Sequence, residues 1–192
     1  MGCTETEFMA GAERAGLAVL PSSPLPGLTT HGHLLRAEDT VVRATIVEAL
    51  RWIFLELGGD EQLLAAKRRL PLRPDGYLDG QLLEVDEIQH FSSARLRTLE
   101  MYPAGTALGF DLDEYRELCR HWSSRGGDHY RAAKQTVDFP HHGGRTAQRA
   151  YFDAARDLLA EPLGAGPVIR VAAPGCDGTL ALRRLEQSST RS

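Results

Sequence analysis

DGYLDGQLLEVDEIQHF, residues 75–91, sets two Asp-Gly pairs ahead of an alternating apolar and acidic run. Asp79-Gly80 is a favoured two-residue hairpin turn, because both positions tolerate positive φ. Counting outward from it, Leu78 faces Gln81, Tyr77 faces Leu82, Gly76 faces Leu83 and Asp75 faces Glu84. Directly opposed residues hold their Cβ atoms about 4.5–5.5 Å apart on one face. Along the second strand the period of two puts Glu84, Asp86, Ile88 and His90 on one side. Leu83, Val85, Glu87 and Gln89 fall on the other. Two readings follow. In the first, carboxylates this close repel unless a cation lies between them or one is protonated. Asp75, Glu84 and Asp86 then offer the oxygen ligands that Mg²⁺ (or Mn²⁺) prefers. Such an ion can activate water and polarise a phosphoryl group. In the second, Asp75-Gly76 is itself a turn, and Glu84 and Asp86 lie on a solvated edge strand that acids keep from aggregating. Spacing alone leaves both open. His90 shares the acidic face, as a general base or water-orienting group near neutrality, or as an imidazole bonded to a backbone carbonyl.

The flanking sequence supplies helices and one more strand. Upstream, the pattern Val42, Ile46, Ala49, Leu50, Ile53, Leu57 predicts a helix from Glu38 or Asp39 to Leu57. Asp39 is its cap, and Gly58-Gly59 ends it. Residues 61–69 predict a further turn or two of helix. Residues 1–16 fit a short amphipathic helix, and Pro21, Pro24 and Pro26 mark residues 17–37 as an extended lead-in. Downstream, Ser92-Ser93 caps a helix stopped by Pro103, and Asp111 opens another, with Tyr115, Leu118, Cys119 and Trp122 as its buried stripe. Arg145 to Ala160 is a strong helix, and residues 167–172 are a strand reached by that helical crossover, hence parallel to its partner. Gly143-Gly144 before Arg145 and Arg149 reads first as a softened loop with solvent-facing arginines. An anion site at the helix start is the alternative. The tail after Leu185, EQSSTRS, reads as disordered.

The 192 residues, 42% hydrophobic and 25% charged, describe one ordinary globular domain. No window approaches eighteen apolar residues, which excludes a membrane-spanning helix. The acids near the N-terminus do not suit a signal peptide. With three widely spaced cysteines and no CxxC pair, a reducing, cytoplasmic setting is expected. A formal charge of −4 argues against a surface that coats nucleic acid broadly. It leaves room for a nuclease, where bound cations offset the acids.

RPDGYLDGQLLEVDEIQHF also resembles the core of the PD-(D/E)xK restriction-endonuclease-like superfamily, nearest its very-short-patch repair endonuclease-like branch. Pro74-Asp75 matches the first acid, Glu84 the second, and His90 the histidine that follows. FDAARDLLAEPLGAGPVIRV, residues 152–171, resembles the later helix and strand of that branch, pairing Asp153 with Arg156 and placing Arg170 on the strand. Two positions depart from the pattern: Asp86 stands where the family has lysine, and Glu87 where it has glycine. The resemblance implies an α/β fold with a three-layer core, a small mixed sheet flanked by helices. The domain would span residues 38–185, with 92–145 as a helical insertion, 1–37 as an N-terminal extension and 186–192 as the tail. It further implies a Mg²⁺-dependent endonuclease acting on nucleic acid, DNA in the first instance. Asp75, Glu84 and Asp86 would hold the metal, His90 would assist proton transfer, and Glu48 would be an extra helical ligand. Lys134 is the candidate for the displaced lysine. The missing lysine motivates a second expectation, a catalytically silent nuclease-fold domain working as a nucleic-acid or protein interaction module.

Overall fold

The computed structural model describes residues 3–36 and 41–189. The expected helix start at Glu38 or Asp39 lies outside the described residues. Two strands form the hairpin read from the sequence: β2 (Gly76–Leu78) and β3 (Gln81–Glu87), antiparallel, with Leu78 paired to Gln81, Tyr77 to Leu82 and Gly76 to Leu83. The turn takes the backbone that its residues tolerate, with φ of 51° at Asp79 and 79° at Gly80. On one side β2 pairs with the two-residue β1 (Leu20–Pro21). On the other side β3 pairs in parallel with β4 (Ile169–Ala173), giving a mixed sheet in the order β1-β2-β3-β4. The parallel pairing is the one a helical crossover requires.

Helices cover both faces. In chain order they are α1 (Cys3–Arg14), α2 (Ala44–Glu56), α3 (Glu61–Ala66), α4 (Ser93–Glu100), α5 (Leu112–Trp122), α6 (Gly144–Leu159) and α7 (Gly178–Ser189). Phe8 and Ala12 of α1, with Ala181, Leu182 and Leu185 of α7, pack on Leu83, Val85, Val171 and Ala173. The opposite face of the sheet meets α6. There Ala147, Ala150, Tyr151, Ala154 and Leu158 join Leu50, Ile53 and Phe54 of α2 in the main core, with Leu82. The caps form where the residue types call for them. Ser92 Oγ accepts from the Arg95 N–H at 3.1 Å, and Asp111 Oδ1 from the Asp113 and Glu114 N–H groups at 2.9 Å each. Gly58, at φ 78°, ends α2.

Several expectations change. Of the segment expected as an extension, residues 3–36 are built into the fold, because α1 packs on α7 and the sheet, β1 extends the sheet, and Leu28, His31 and His33 are buried. The stretch read as tail continues α7 through Ser189, since Ala181, Leu182 and Leu185 give that helix an apolar stripe to bury. Residues 92–145 do more than decorate the core: Phe91, Leu99, Tyr115 and Cys119 form a third apolar cluster against Ala172 of β4. Among the described residues no helix is long and apolar enough to cross a membrane.

Candidate functional site

The face of the sheet that meets α6 carries Glu84, Asp86 and Arg170, all buried, although a sheet face against a helix is ordinarily apolar. From α6, Asp153 and Asp157 descend one turn apart onto the same region, and both are buried. Arg170 is the hub. Its Nη1 reaches Asp86 Oδ1 and Oδ2 at 2.9 Å each, its Nε reaches Asp157 Oδ1 at 2.7 Å, and its Nη2 donates to the Asp153 carbonyl at 3.3 Å. Arg95 of α4 closes the far side. Its Nη2 donates to Asp157 Oδ2 at 2.6 Å and its Nη1 to Tyr102 Oη at 2.6 Å, while the Tyr102 hydroxyl donates to the same Asp157 oxygen at 2.7 Å. Burial alone would keep these carboxyls protonated. The charges of Arg170 and Arg95 override it at Asp157, and those of His90 and Arg170 at Asp153, so both stay below the usual carboxylate range.

This network changes the place of Asp86. The expected trio of ligands does not converge, because both Asp86 oxygens are held by Arg170 and the Tyr115 hydroxyl lies 3.2 Å from Oδ2. Among the described residues no group of three or more His, Cys, Asp or Glu side chains stands ready to share a metal ion. Glu48 lies exposed on α2 and is not among the residues that line the cavity of Asp75 and Glu84.

Asp75 and Glu84 are brought together. They line one open cavity of about 310 Å³ with Glu5, Gln89 and His90, and with Arg145, Arg149 and Arg156 from α6. β2 begins at Gly76, and just before it the Asp75 side chain takes the next ladder position: its Oδ2 accepts the Val85 N–H at 2.7 Å. Burial, reinforced by the charges of Glu5 and Asp86, pushes the Asp75 carboxyl up to about 6 against the pull of that hydrogen bond. Glu84 is 4% exposed. Burial pushes it up to about 8, even with Arg156 alongside. Arg156 Nε lies 3.0 Å from Glu84 Oε1, yet neither atom makes a hydrogen bond: the charges are close, but the N–H is not aligned with the oxygen. A buried carboxylate oxygen in the cavity wall is therefore left with unused acceptor capacity, which is costly unless a cation or proton engages it.

His90 arrives by a route that the strand reading missed. The chain leaves β3 after Glu87 into a 3₁₀ turn, Ile88–His90, where Gln89 lines the cavity and its Nε2 donates to Glu87 Oε2 at 2.8 Å. His90 Nδ1 lies 2.9 Å from Asp153 Oδ2 and 3.4 Å from Asp86 Oδ1. Burial disfavours its charge, but Asp153 and Asp86 outweigh that and raise its proton affinity, so it is poised as an imidazolium. Lys134 is absent from the cavity lining, and Arg156 is the cation beside Glu84. Sequence reasoning missed Arg95, Tyr102 and Asp157. The one available signal was Asp153-x-x-Arg156-Asp157, whose spacing puts all three charges on one helix face.

Fold and site together define a mixed α/β protein whose sheet carries a buried carboxylate–arginine network opening into an acid- and arginine-lined cavity. The family of unknown function DUF7255 matches residues 52–178, and the chain belongs to that family. The match runs from α2 through β4, includes residues 92–145, and takes in every cavity residue named above except Glu5. No curated protein and no solved structure matches the chain significantly.

Proposed function

We propose that this protein is a divalent-cation-dependent hydrolase of phosphodiester bonds in nucleic acid, built on a restriction-endonuclease-like core. The observation that carries the reading is the pair Asp75 and Glu84. They lie at adjoining positions of one hairpin, face one cavity, have raised proton affinity, and include a buried carboxylate oxygen with no hydrogen bond. Such a pair fits Mg²⁺ or Mn²⁺, which keeps several waters beside one or two carboxylates. Asp86 fits less well, because Arg170 occupies it. The order of α2, the hairpin, α6 and a parallel β4 also supports the resemblance, since it is the order that the PD-(D/E)xK pattern requires.

In this reading Asp75 and Glu84 would hold the ion, which when bound would polarise the phosphoryl group and make its water more acidic. Arg156, in the place of the family lysine, cannot serve as a base but adds charge and donors toward the phosphoryl oxygens. His90, held as imidazolium by Asp153 and Asp86, is placed to give a proton to the leaving oxygen. Asp86, Asp157 and Arg95 act through Arg170 and Asp153, fixing the floor on which these groups stand. The test is incubation with single-stranded, duplex and mismatched DNA and with RNA, in Mg²⁺ or Mn²⁺. Cleavage lost in Glu84→Gln and Asp75→Asn is the expected result, and cleavage unchanged in Glu84→Gln overturns the assignment.

One observation favours a second reading, a silent nuclease-fold domain acting as an interaction module. Arg156 already stands 3.0 Å from Glu84, giving the carboxylate a resident cation. In that case calorimetry finds no Mn²⁺ binding that depends on Asp75 and Glu84.

A further inference from the structure

Two of the guanidinium groups in the cavity wall, those of Arg145 and Arg149, have no part in the mechanism above. Arg145 and Arg149 lie one turn apart on α6 and line the cavity with Arg156, so the three form a stripe at i, i+4 and i+11 along one helix face. Arg149 is half-buried. Among the described residues its side chain makes one hydrogen bond, a long one of 3.5 Å from Nη1 to the Gln89 carbonyl, and its guanidinium lies 4.9 Å from the centre of the Tyr130 ring. Arg131 lies over the same ring at 5.4 Å. Arg145 donates to a neutral group, Gln148 Oε1, at 2.6 Å. Among the described residues none of Arg131, Arg145 and Arg149 has a carboxylate within ion-pair distance, in a chain of net charge −4. Lys67 differs in this respect, held by the Asp138 carboxylate at 2.9 Å.

The backbone is arranged to bring the three together. Gly143 N–H donates to the Ala132 carbonyl at 2.8 Å and Arg145 N–H to the Lys134 carbonyl at 2.9 Å, pinning the 131–134 loop against the start of α6. Arg131 is held at φ 55°, a left-handed conformation that costs a non-glycine residue about 1–2 kcal/mol. Repulsion shows at Arg149, where burial and then the charge of Arg145 disfavour its own charge, Asp153 and Tyr130 oppose them, and Arg131 adds to the repulsion. An anion among them relieves that repulsion.

We infer that Arg145 and Arg149, with Arg131 on the Tyr130 ring that it shares with Arg149, form a phosphate subsite for a nucleic-acid strand whose scissile phosphate lies at Asp75 and Glu84. The nucleic-acid identity of this ligand rests on the function proposed above. It follows that the substrate carries a second backbone phosphate next to the one cleaved, so a strand is bound and a mononucleotide ester is not. No bond is made or broken at the subsite, which acts by position and charge.

The experiment is fluorescence anisotropy with a short fluorescein-labelled single-stranded DNA, in EDTA so that neither a cation nor cleavage is needed, across a range of salt concentrations. The slope of log K against log salt should fall by about 0.7 for each phosphate of a single strand that the protein no longer neutralises. That fall is expected for Arg149→Gln and for Arg145→Gln. Arg149→Lys should keep the slope, and Arg183→Gln, at an exposed position of α7, should not change it. Thermal melting of each variant identifies any that fails to fold, and Arg145→Gln, less tied into the packing, still decides the matter if Arg149→Gln does not fold. No binding by the wild type overturns the inference, as do unchanged slopes in folded Arg145→Gln or an equal fall in Arg183→Gln. The two readings fail separately. Arginine-dependent binding without any cleavage removes the hydrolase and keeps the subsite, whereas Glu84-dependent cleavage with arginine-independent binding removes the subsite and keeps the hydrolase.

Discussion

Replacing Glu84 by glutamine should make the protein more stable, and increasingly so as the pH rises. Glu84 has a carboxyl pushed from 4.5 up to about 8 by burial. In the unfolded chain it ionises near its ordinary value. Between the two values the folded state therefore holds a proton that the unfolded state has released, and stability falls as the pH rises through that window. Each pH unit crossed is worth about 1.36 kcal/mol, so the full window amounts to about 5 kcal/mol, on the order of a third or more of a typical domain's stability. Glutamine matches the protonated form in shape and cannot ionise. Urea unfolding from about pH 5 to about pH 9 reads the difference directly. The stability gain of Glu84→Gln should be under about 1 kcal/mol at about pH 5, grow by about 1.4 kcal/mol per unit, and level off above the folded-state value. A gain that is constant across this range, or a loss that deepens with pH, would refute the assignment of Glu84 as a buried carboxyl without an effective counter-charge. A divalent cation should reduce the gain, because a carboxylate engaged by a metal is favoured in its charged form.

Arg170→Met should cost about 3–5 kcal/mol in urea unfolding, because it takes from buried Asp86 the guanidinium that holds both its oxygens and leaves buried Asp157 with Arg95 alone. A cost under about 1 kcal/mol, within the range of an exposed pair, would show that the network is not buried as described. Gly32→Ala should cost about 2–4 kcal/mol, since a Cβ there overlaps the Tyr151 hydroxyl and the backbone sits at φ 49°. The same tyrosine is bound to His33, so the change should also weaken protection of the His33 amide, whose N–H donates to Tyr151 Oη at 3.0 Å, in hydrogen exchange. Asp153→Asn should lower the proton affinity of His90, because it removes the nearest of the two charges that raise it. An NMR titration of the imidazole would show the transition moving to lower pH, and an unmoved transition would separate His90 from Asp153.

The hairpin was legible because Asp79-Gly80 admits few alternatives. A turn that needs two positive φ values fixes where counting begins, and the side-chain period of two then fixes every pair out to Gly76 and Leu83. The parallel partner strand was legible from the helix that separates it from the hairpin. What the strand pattern reports is which side chains share a face, not what packs on that face. Asp86 and Glu84 are indistinguishable by that rule, yet Arg170 from the neighbouring strand takes one, while the other opens on the cavity. His90 reached the site although strand alternation ended before it, because the 3₁₀ turn after Glu87 has its own period. Arg95 was hidden for the opposite reason: a cation in a short polar helix reads as solvated until its partner Asp157, 62 residues away, is known. The helix α7 escaped because its apolar stripe is narrow and is completed by α1 across nearly the whole chain length.

The most direct test of the Asp75–Glu84 site is a calorimetric titration with Mn²⁺ near neutral pH, repeated in two buffers of different ionisation heat. With Glu84 pushed up to about 8 and Asp75 to about 6, one carboxyl is mainly protonated and one mainly ionised before the cation arrives. Binding should therefore release about one proton per cation, seen as a buffer-dependent heat, and both the binding and the proton release should disappear in Glu84→Gln and Asp75→Asn. Mn²⁺ binding that survives both substitutions, or no binding by the wild type, would contradict the site.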